Sequence, residues 1–408
     1  MKIRFLWIEL MCSPMLTWCV LFSLFLALKA NSTDNMDSKD LASSIATFSA
    51  KFCNELDKEK SVVSSPLSAE FVLALLTLGC TEPAHSELLT ALGIPNDDSI
   101  RSSFSTVSSK LKSLQGVTLN VANKVYIKEG PYDLVSELKE DAVKVFDADF
   151  EKVEFGNSAA AAALINGWVE EKTNNKIKDL LSADSLDSDT RLVLVNALYF
   201  KGTWEAKFNP ANTMEKPFHL NKNSTVNVPM MYREGEYRYG ESEELQAQLL
   251  ELPYVGNETS MVVILPRDIE GLNGLLAQLA GGYDLISEFD RMFKVKVQVS
   301  LPKFKIESEI DLAELLPKLG INAIFDRDNS GLTKILNTSE GLFVSKAVQK
   351  AFIEVNEEGA EAAAATGMVM MMRCAPRSFR FHADRPFYYL LLGAERTPLF
   401  LGVYRPTV

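Results

Sequence analysis

The chain is poor in the residues from which enzymes build reactive centres. Among 408 residues there are three histidines, His85, His219 and His382, and none stands in a frame that would pair it with a nucleophile. No G-x-S-x-G elbow, P-loop, H-E-x-x-H or C-x-x-C spacing occurs. The sequence therefore argues against a catalyst, and no metal or small-molecule cofactor is expected. Cysteine is nearly as scarce. Of five, Cys12 and Cys19 fall in an apolar N-terminal stretch, leaving Cys53, Cys80 and Cys374. Three thiols cannot all pair within one chain, so this is no disulfide scaffold, and burial must hold the core together. Positive charge is also short: the formal net charge is −12. That excess of carboxylates argues against nucleic acid or an anionic membrane as partner. Finally, no Pro/Gly/Ser-rich linker, long charge run or internal repeat divides the chain, which points to one large domain.

Only one long apolar run exists, from Met15 to Leu28, behind a basic start at Lys2 and Arg4 and ahead of the small Ala30. This is the layout of a secretory leader spanning residues 1–30, and the run is short for a bilayer, which needs about 20 residues. Cutting there removes Lys2, Arg4, Lys29 and Glu9 and leaves a mature domain, residues 31–408, with a net charge of −14. The expectation is a secreted, extracellular, monomeric product. Four Asn-x-Ser/Thr triplets, at Asn31, Asn223, Asn257 and Asn337, are candidate glycosylation sites on such a chain.

Apolar spacing supplies the elements. Leu41, Ile45, Phe48, Phe52 and Leu56 predict an amphipathic first helix. Ser65 and Pro66 predict the cap and first turn of a second, whose body from Phe71 to Leu78 is apolar all round and hence central. Leu164, Ile165, Trp168 and Val169 predict another helix. Strand patterns follow at Val117–Leu119–Val121, Arg191 to Phe200, Met261 to Leu265, Phe293 to Leu301, Phe387 to Leu392 and Leu399 to Val403. Helices lead and strands dominate late, so the fold class is α+β.

One segment resists a plain assignment. Glu357 to Met372 is rich in alanine and methionine and ends at Arg373. Composition alone suits a surface helix, yet no apolar stripe appears at helical spacing. At period two, Ala360, Ala362, Ala364, Thr366, Met368 and Met370 share one face, all small or apolar, while Glu361 points the other way. The same residues could stand outside as a loop or lie inside a sheet as a strand.

Four stretches, in order, resemble the serpins, and in particular secreted insect serpins, over the whole mature length. Ser65-Pro66-Leu67-Ser68 resembles the shutter under the family's main sheet. Asn196 through Trp204 resembles its central strand and breach. The run Glu357, Glu358, Gly359, Ala360, Glu361, Ala362, Ala363, Ala364, Ala365 and Thr366 resembles the inhibitory hinge. Phe381-His382-Ala383-Asp384-Arg385-Pro386-Phe387 matches the C-terminal signature. The resemblance implies three β-sheets, about nine α-helices and an exposed reactive centre loop at about residues 357–380. It also implies a scissile bond after the seventeenth hinge residue, which is Arg373, so that Arg373–Cys374 is the bond offered to a trypsin-like serine protease. A covalent acyl complex would follow, by insertion of the loop into the main sheet. A non-inhibitory serpin, a carrier or storage protein, is the alternative; the alanine-rich hinge argues against it. The chain departs from the family pattern at Ala360, where threonine is usual, at Gln349, where many relatives have histidine, and at Glu82 and Ala84, in place of glycine and threonine.

Overall fold

The structure, a computed structural model, describes residues 36, 38–338, 341–358 and 378–407. Among these residues nine α-helices and fourteen strands form, and the strands make two hydrogen-bonded sheets, one of five strands and one of nine. The three sheets expected from the resemblance are traced as two networks because one strand of 19 residues, Ser224–Ser242, pairs along its length with Met214–Asn221, Phe293–Pro302 and Ala247–Pro253.

The five-stranded sheet runs in the order Phe304–Asp311, Val344–Val355, Leu192–Gly202, Val117–Lys128, Asp149–Val153. Its central strand explains its own composition. Leu192, Leu194, Leu198 and Phe200 enter the main core, while Val193, Val195 and Ala197 enter a second core on the opposite face. Both faces are covered, so the alternation of a half-wet strand is absent and the run reads as continuous apolar. Helix Ser158–Lys172 roofs the second core with Ala161, Ala162, Ile165 and Val169. Leu164, expected on that stripe, instead faces outward with 43% of its surface exposed. Trp168 lies at the edge, T-shaped against Tyr126 with the Lys124 ammonium 5.0 Å from its ring.

Helix Pro66–Leu78 runs beneath the same sheet, and all thirteen of its residues are buried. Ser65 caps it, its side chain accepting from the Ser68 N–H, and Pro66 fills the first turn. The first helix is Ser38–Asn54, with Leu41, Ile45, Phe48 and Phe52 all buried as its spacing predicts. Val121 is 39% exposed, although Ala122 beside it and the residues that follow on the strand are buried. It borders a cavity of about 200 Å³ between strand Val117–Lys128 and the helices, lined also by Leu119, Asn123, Ser65 and Ser68.

Candidate functional site

Two strands that are 150 residues apart in sequence meet at the middle of the five-stranded sheet. Val344–Val355 and Leu192–Gly202 pair in parallel, from Val344 opposite Leu192 to Ile353 opposite Phe200, with no strand between them. Each has an antiparallel neighbour on its far side, Phe304–Asp311 and Val117–Lys128. The parallel seam is thus flanked by two antiparallel ladders.

A polar row crosses the seam on its inner face. Gln349 stands opposite Asn196, and Asn196 opposite Asn123. Gln349 is fully buried, and its amide is used completely. Its Nε2 donates to Asn196 Oδ1 at 2.6 Å and to the Ser65 carbonyl at 2.9 Å. Its Oε1 accepts from Ser64 Oγ at 2.5 Å and from the Ser65 N–H at 3.0 Å. Asn196 Nδ2 donates to Ser68 Oγ at 2.6 Å and to Asn123 Oδ1 at 2.5 Å, and Ser68 Oγ donates to Asn123 Oδ1 at 2.9 Å. Ser65 Oγ donates to the Leu399 carbonyl of the nine-stranded sheet at 2.6 Å. Partly satisfied polar groups in a core are costly, whereas a closed network fixes one arrangement. Here the sheet is pinned across its seam to the cap of the central helix. Ser65, Ser68, Asn196 and Gln349 are therefore brought together as the sequence groups them. Ser64 and Asn123 join them unforeseen. Asn123 had a visible signal: it occupies the inward position next after Leu119 and Val121, a polar residue in an apolar series.

A second cluster sits where strand Val344–Val355 ends. Trp204 Nε1 donates to the Asn356 carbonyl at 2.8 Å, and its ring stacks on Tyr254 with centroids 4.4 Å apart. Glu357 is buried although charged. Its Oε2 meets the Lys303 ammonium at 2.7 Å and its Oε1 accepts from Thr213 Oγ1 at 2.8 Å. Burial pushes this carboxyl up, but the Lys303 hydrogen bond and charge, the Glu357 N–H and Thr213 outweigh it and hold it below the usual carboxylate range. Glu358 is exposed and lies 3.7 Å from Lys201. Glu357 is thus anchored through its carboxylate, and Glu358 through its N–H, which donates to Asn356 Oδ1 at 2.9 Å. Lys303 and Thr213 were not singled out by sequence, since nothing in the pattern links them to a glutamate 54 residues or more away.

Gly359, Ala360, Glu361, Ala362, Ala363, Ala364, Ala365, Thr366, Arg373 and Cys374 lie outside the described residues, as does Asn31. Asn223, Asn257 and Asn337 are exposed, Asn223 in the turn between two paired strands. Among the described residues no group of three histidine, cysteine or acidic side chains is placed to hold a metal ion, and no helix is long and apolar enough to cross a membrane.

Comparison with known proteins decides the family. A profile for Serpin (serine protease inhibitor) matches residues 43–406. The chain belongs to the serpins. Among its relatives are two proteins of Bombyx mori, antichymotrypsin-2 and antitrypsin. Each is 43% identical over 364 residues, which is 88% of this chain and 96% and 92% of theirs. Among solved structures, Serpin48 of Tenebrio molitor superposes with a TM-score of 0.80 at 34% identity, covering 91% of this chain and all of that one. The serpin family is one of inhibitors rather than catalysts, consistent with the missing catalytic frames noted above. The resembling stretches at Ser65–Ser68, Asn196–Trp204 and Phe381–Phe387 fall in the helix cap, the central strand, and the Phe379–His382 strand running on into Phe387–Leu392.

Proposed function

We propose that this serpin is a secreted suicide-substrate inhibitor of trypsin-like serine proteases, cleaved at Arg373–Cys374. The two Bombyx relatives carry the names of opposite specificities at equal identity, so overall likeness does not choose the target. Arg373 does. Trypsin-like enzymes hold a carboxylate at the base of the specificity pocket, and an arginine fork meets a carboxylate with two charge-assisted hydrogen bonds. The enzyme's serine attacks the Arg373 carbonyl carbon, the peptide bond to Cys374 breaks, Cys374 leaves as a new amino terminus, and the enzyme is esterified to Arg373.

The observation that carries the reading is the parallel seam. A chain leaving Val355 and turning at Gly359 would run back antiparallel to strand Val344–Val355. Because Leu192–Gly202 is parallel to that strand, the returning segment would be antiparallel to both. One parallel ladder would be exchanged for two antiparallel ones, a net gain of about ten hydrogen bonds at roughly 0.5–1.5 kcal/mol each. Burial of Met368 and Met370 would add to this at about 25 cal/mol per Å². The total is on the order of 10 kcal/mol, so the closed sheet is a kinetically held state. The Gln349–Asn196 network and the Glu357–Lys303 pair are the contacts that hold it. The small inward series from Ala360 lets the segment enter before water releases the ester, and the acylated protease is carried along and distorted. Leader removal near Ala30, glycosylation at the exposed sequons and a monomeric state complete this reading.

The test is to mix purified protein with trypsin and analyse the mixture by denaturing gel and mass spectrometry. A band stable to denaturant, with release of a C-terminal peptide beginning at Cys374, is expected. Active trypsin alongside cleaved protein, with no covalent band, would instead place the chain with non-inhibitory carriers or storage proteins.

A further inference from the structure

The inward apolar face of strand Phe293–Pro302 outruns the core that covers it. Val297, Val299 and Leu301 are buried, Val295 is half-buried, and Phe293 is 52% exposed. Phe379, on the adjacent strand Phe379–His382, is 39% exposed and meets Phe293 edge to face with centroids 6.3 Å apart. Beneath them Tyr239 is buried, 5.0 Å from Phe379. Two phenylalanines in the open, held in place by a buried tyrosine, form a rigid aromatic face. Beside it runs a groove of about 230 Å³ lined by Phe293, Glu241, Glu243, Glu244, Glu288 and Arg291 among others. Arg267 pairs with Glu241 and Glu243, and Arg291 with Glu288. Four carboxylates thus face two guanidiniums, and the groove is net acidic.

We propose that this aromatic face and its acidic groove are a second contact surface for the protease that takes Arg373, receiving a loop of that enzyme with an apolar side chain and a lysine or arginine. The inference rests on the function proposed above. Phe379 follows Arg373 by six residues, which span at most about 20 Å. A globular enzyme of about 230 residues has a radius of gyration near 17 Å. A protease seated on Arg373 therefore overhangs Phe379 on the side of the new amino terminus. Aromatic anchors in a well-packed contact each contribute enough to change affinity severalfold or more, and an acidic rim steers a basic loop toward them.

The experiment measures the second-order rate of trypsin inactivation and the number of inhibitor molecules consumed per enzyme. It compares the parent with Phe293→Ala, with Phe293→Ala/Phe379→Ala and with the surface reversal Glu244→Lys. The double variant is expected to inactivate trypsin at least about tenfold more slowly at unchanged stoichiometry. Glu244→Lys should slow it by a factor that shrinks as salt is raised. Phe293→Ala removes an exposed ring and provides the slowed rate in a protein with parental melting behaviour. Parental rates in both Phe293→Ala and Glu244→Lys overturn the proposal. So does a concentration-dependent dimer of the parent that Phe293→Ala dissolves, which would make the face an interface between two copies. Failure of the parent itself to form a covalent band with trypsin would refute the inhibitory reading, a distinct result from unchanged rates in the variants.

Discussion

Gln349→Met addresses the seam directly. Methionine approximates glutamine in length and volume but carries no amide. The substitution deletes four hydrogen bonds, to Ser64 Oγ, to the Ser65 N–H and carbonyl, and to Asn196 Oδ1. The losses are unequal. Ser64 has a hydroxyl that can turn, and the Ser65 carbonyl keeps the Ala69 N–H within the helix. The Ser65 N–H and Asn196 Oδ1 have no second partner of this kind, and both residues are at most 2% exposed, beyond the reach of water. A buried polar group stripped of its partner costs about 1–3 kcal/mol, so the two together cost about 2–6 kcal/mol. With an unfolding entropy of about 2.1 cal/mol/K per residue, a chain of this size loses roughly 1.3 °C of melting temperature per kcal/mol. The native form should therefore melt about 3–8 °C lower, read by circular dichroism at one fixed scan rate because the state is kinetically held. After cleavage and insertion, Gln349 no longer faces Asn196, and the same substitution should cost the cleaved form much less. Native Gln349→Met that melts with the parent, or a cleaved form that suffers equally, would refute the view that this amide holds the sheet shut.

Other perturbations act at the hinge, its mouth and the thiols. Ala360→Arg places charge at the first inward hinge position and should turn the inhibitor into a substrate, leaving cleaved protein and active trypsin on assay; a persistent covalent band from this variant would count against insertion. Arg373→Ala should abolish trypsin trapping, and undiminished trapping would mean that the scissile bond lies elsewhere. The Glu357 carboxyl is depressed in the fold, so its contribution is present above the unfolded carboxylate value of about 4.3 and lost as pH falls through the lower folded value. Thermal melts from pH 6 down to pH 3 should show a loss of stability at the acid end that is smaller in Glu357→Gln than in the parent. Burial pushes the thiols of Cys53 and Cys80 up to about 12. A thiol reagent at pH 8 should then titrate one cysteine, Cys374, in the native mature protein and three in denaturant.

Legibility differed with the range of the interactions. Periodicity located the strands well because a strand covered on both faces, such as Leu192–Gly202, is apolar along nearly its whole length, with Asn196 its one buried polar interruption. The cap at Ser65 and Pro66 was local chemistry and was read directly. Leu164 misled because an alanine-rich helix can pack on Ala161 and Ala162 and turn its leucine to solvent, a choice made by the depth of the surface beneath it. The hydrogen-bonded row was half legible: Ser65, Ser68, Asn196 and Gln349 were grouped through the serpin resemblance, whereas Asn123 betrayed itself only as a polar interruption. The Glu357–Lys303 contact was invisible, because an ion pair between distant segments leaves no period and no spacing. The merging of two expected sheets along Ser224–Ser242 depends on how hydrogen bonding continues through one long strand, which no local pattern records.

The row beneath the seam is built from amides and hydroxyls alone. No member gains or loses a proton in any ordinary body fluid, so the clasp grips as firmly in mildly acid surroundings as in neutral ones. A histidine at the place of Gln349 would act as an acidity gauge there; glutamine does not titrate. The row itself then answers to temperature and not to mild acid; of the contacts that hold the sheet shut, the Glu357–Lys303 pair alone weakens, as pH falls below the usual carboxylate range.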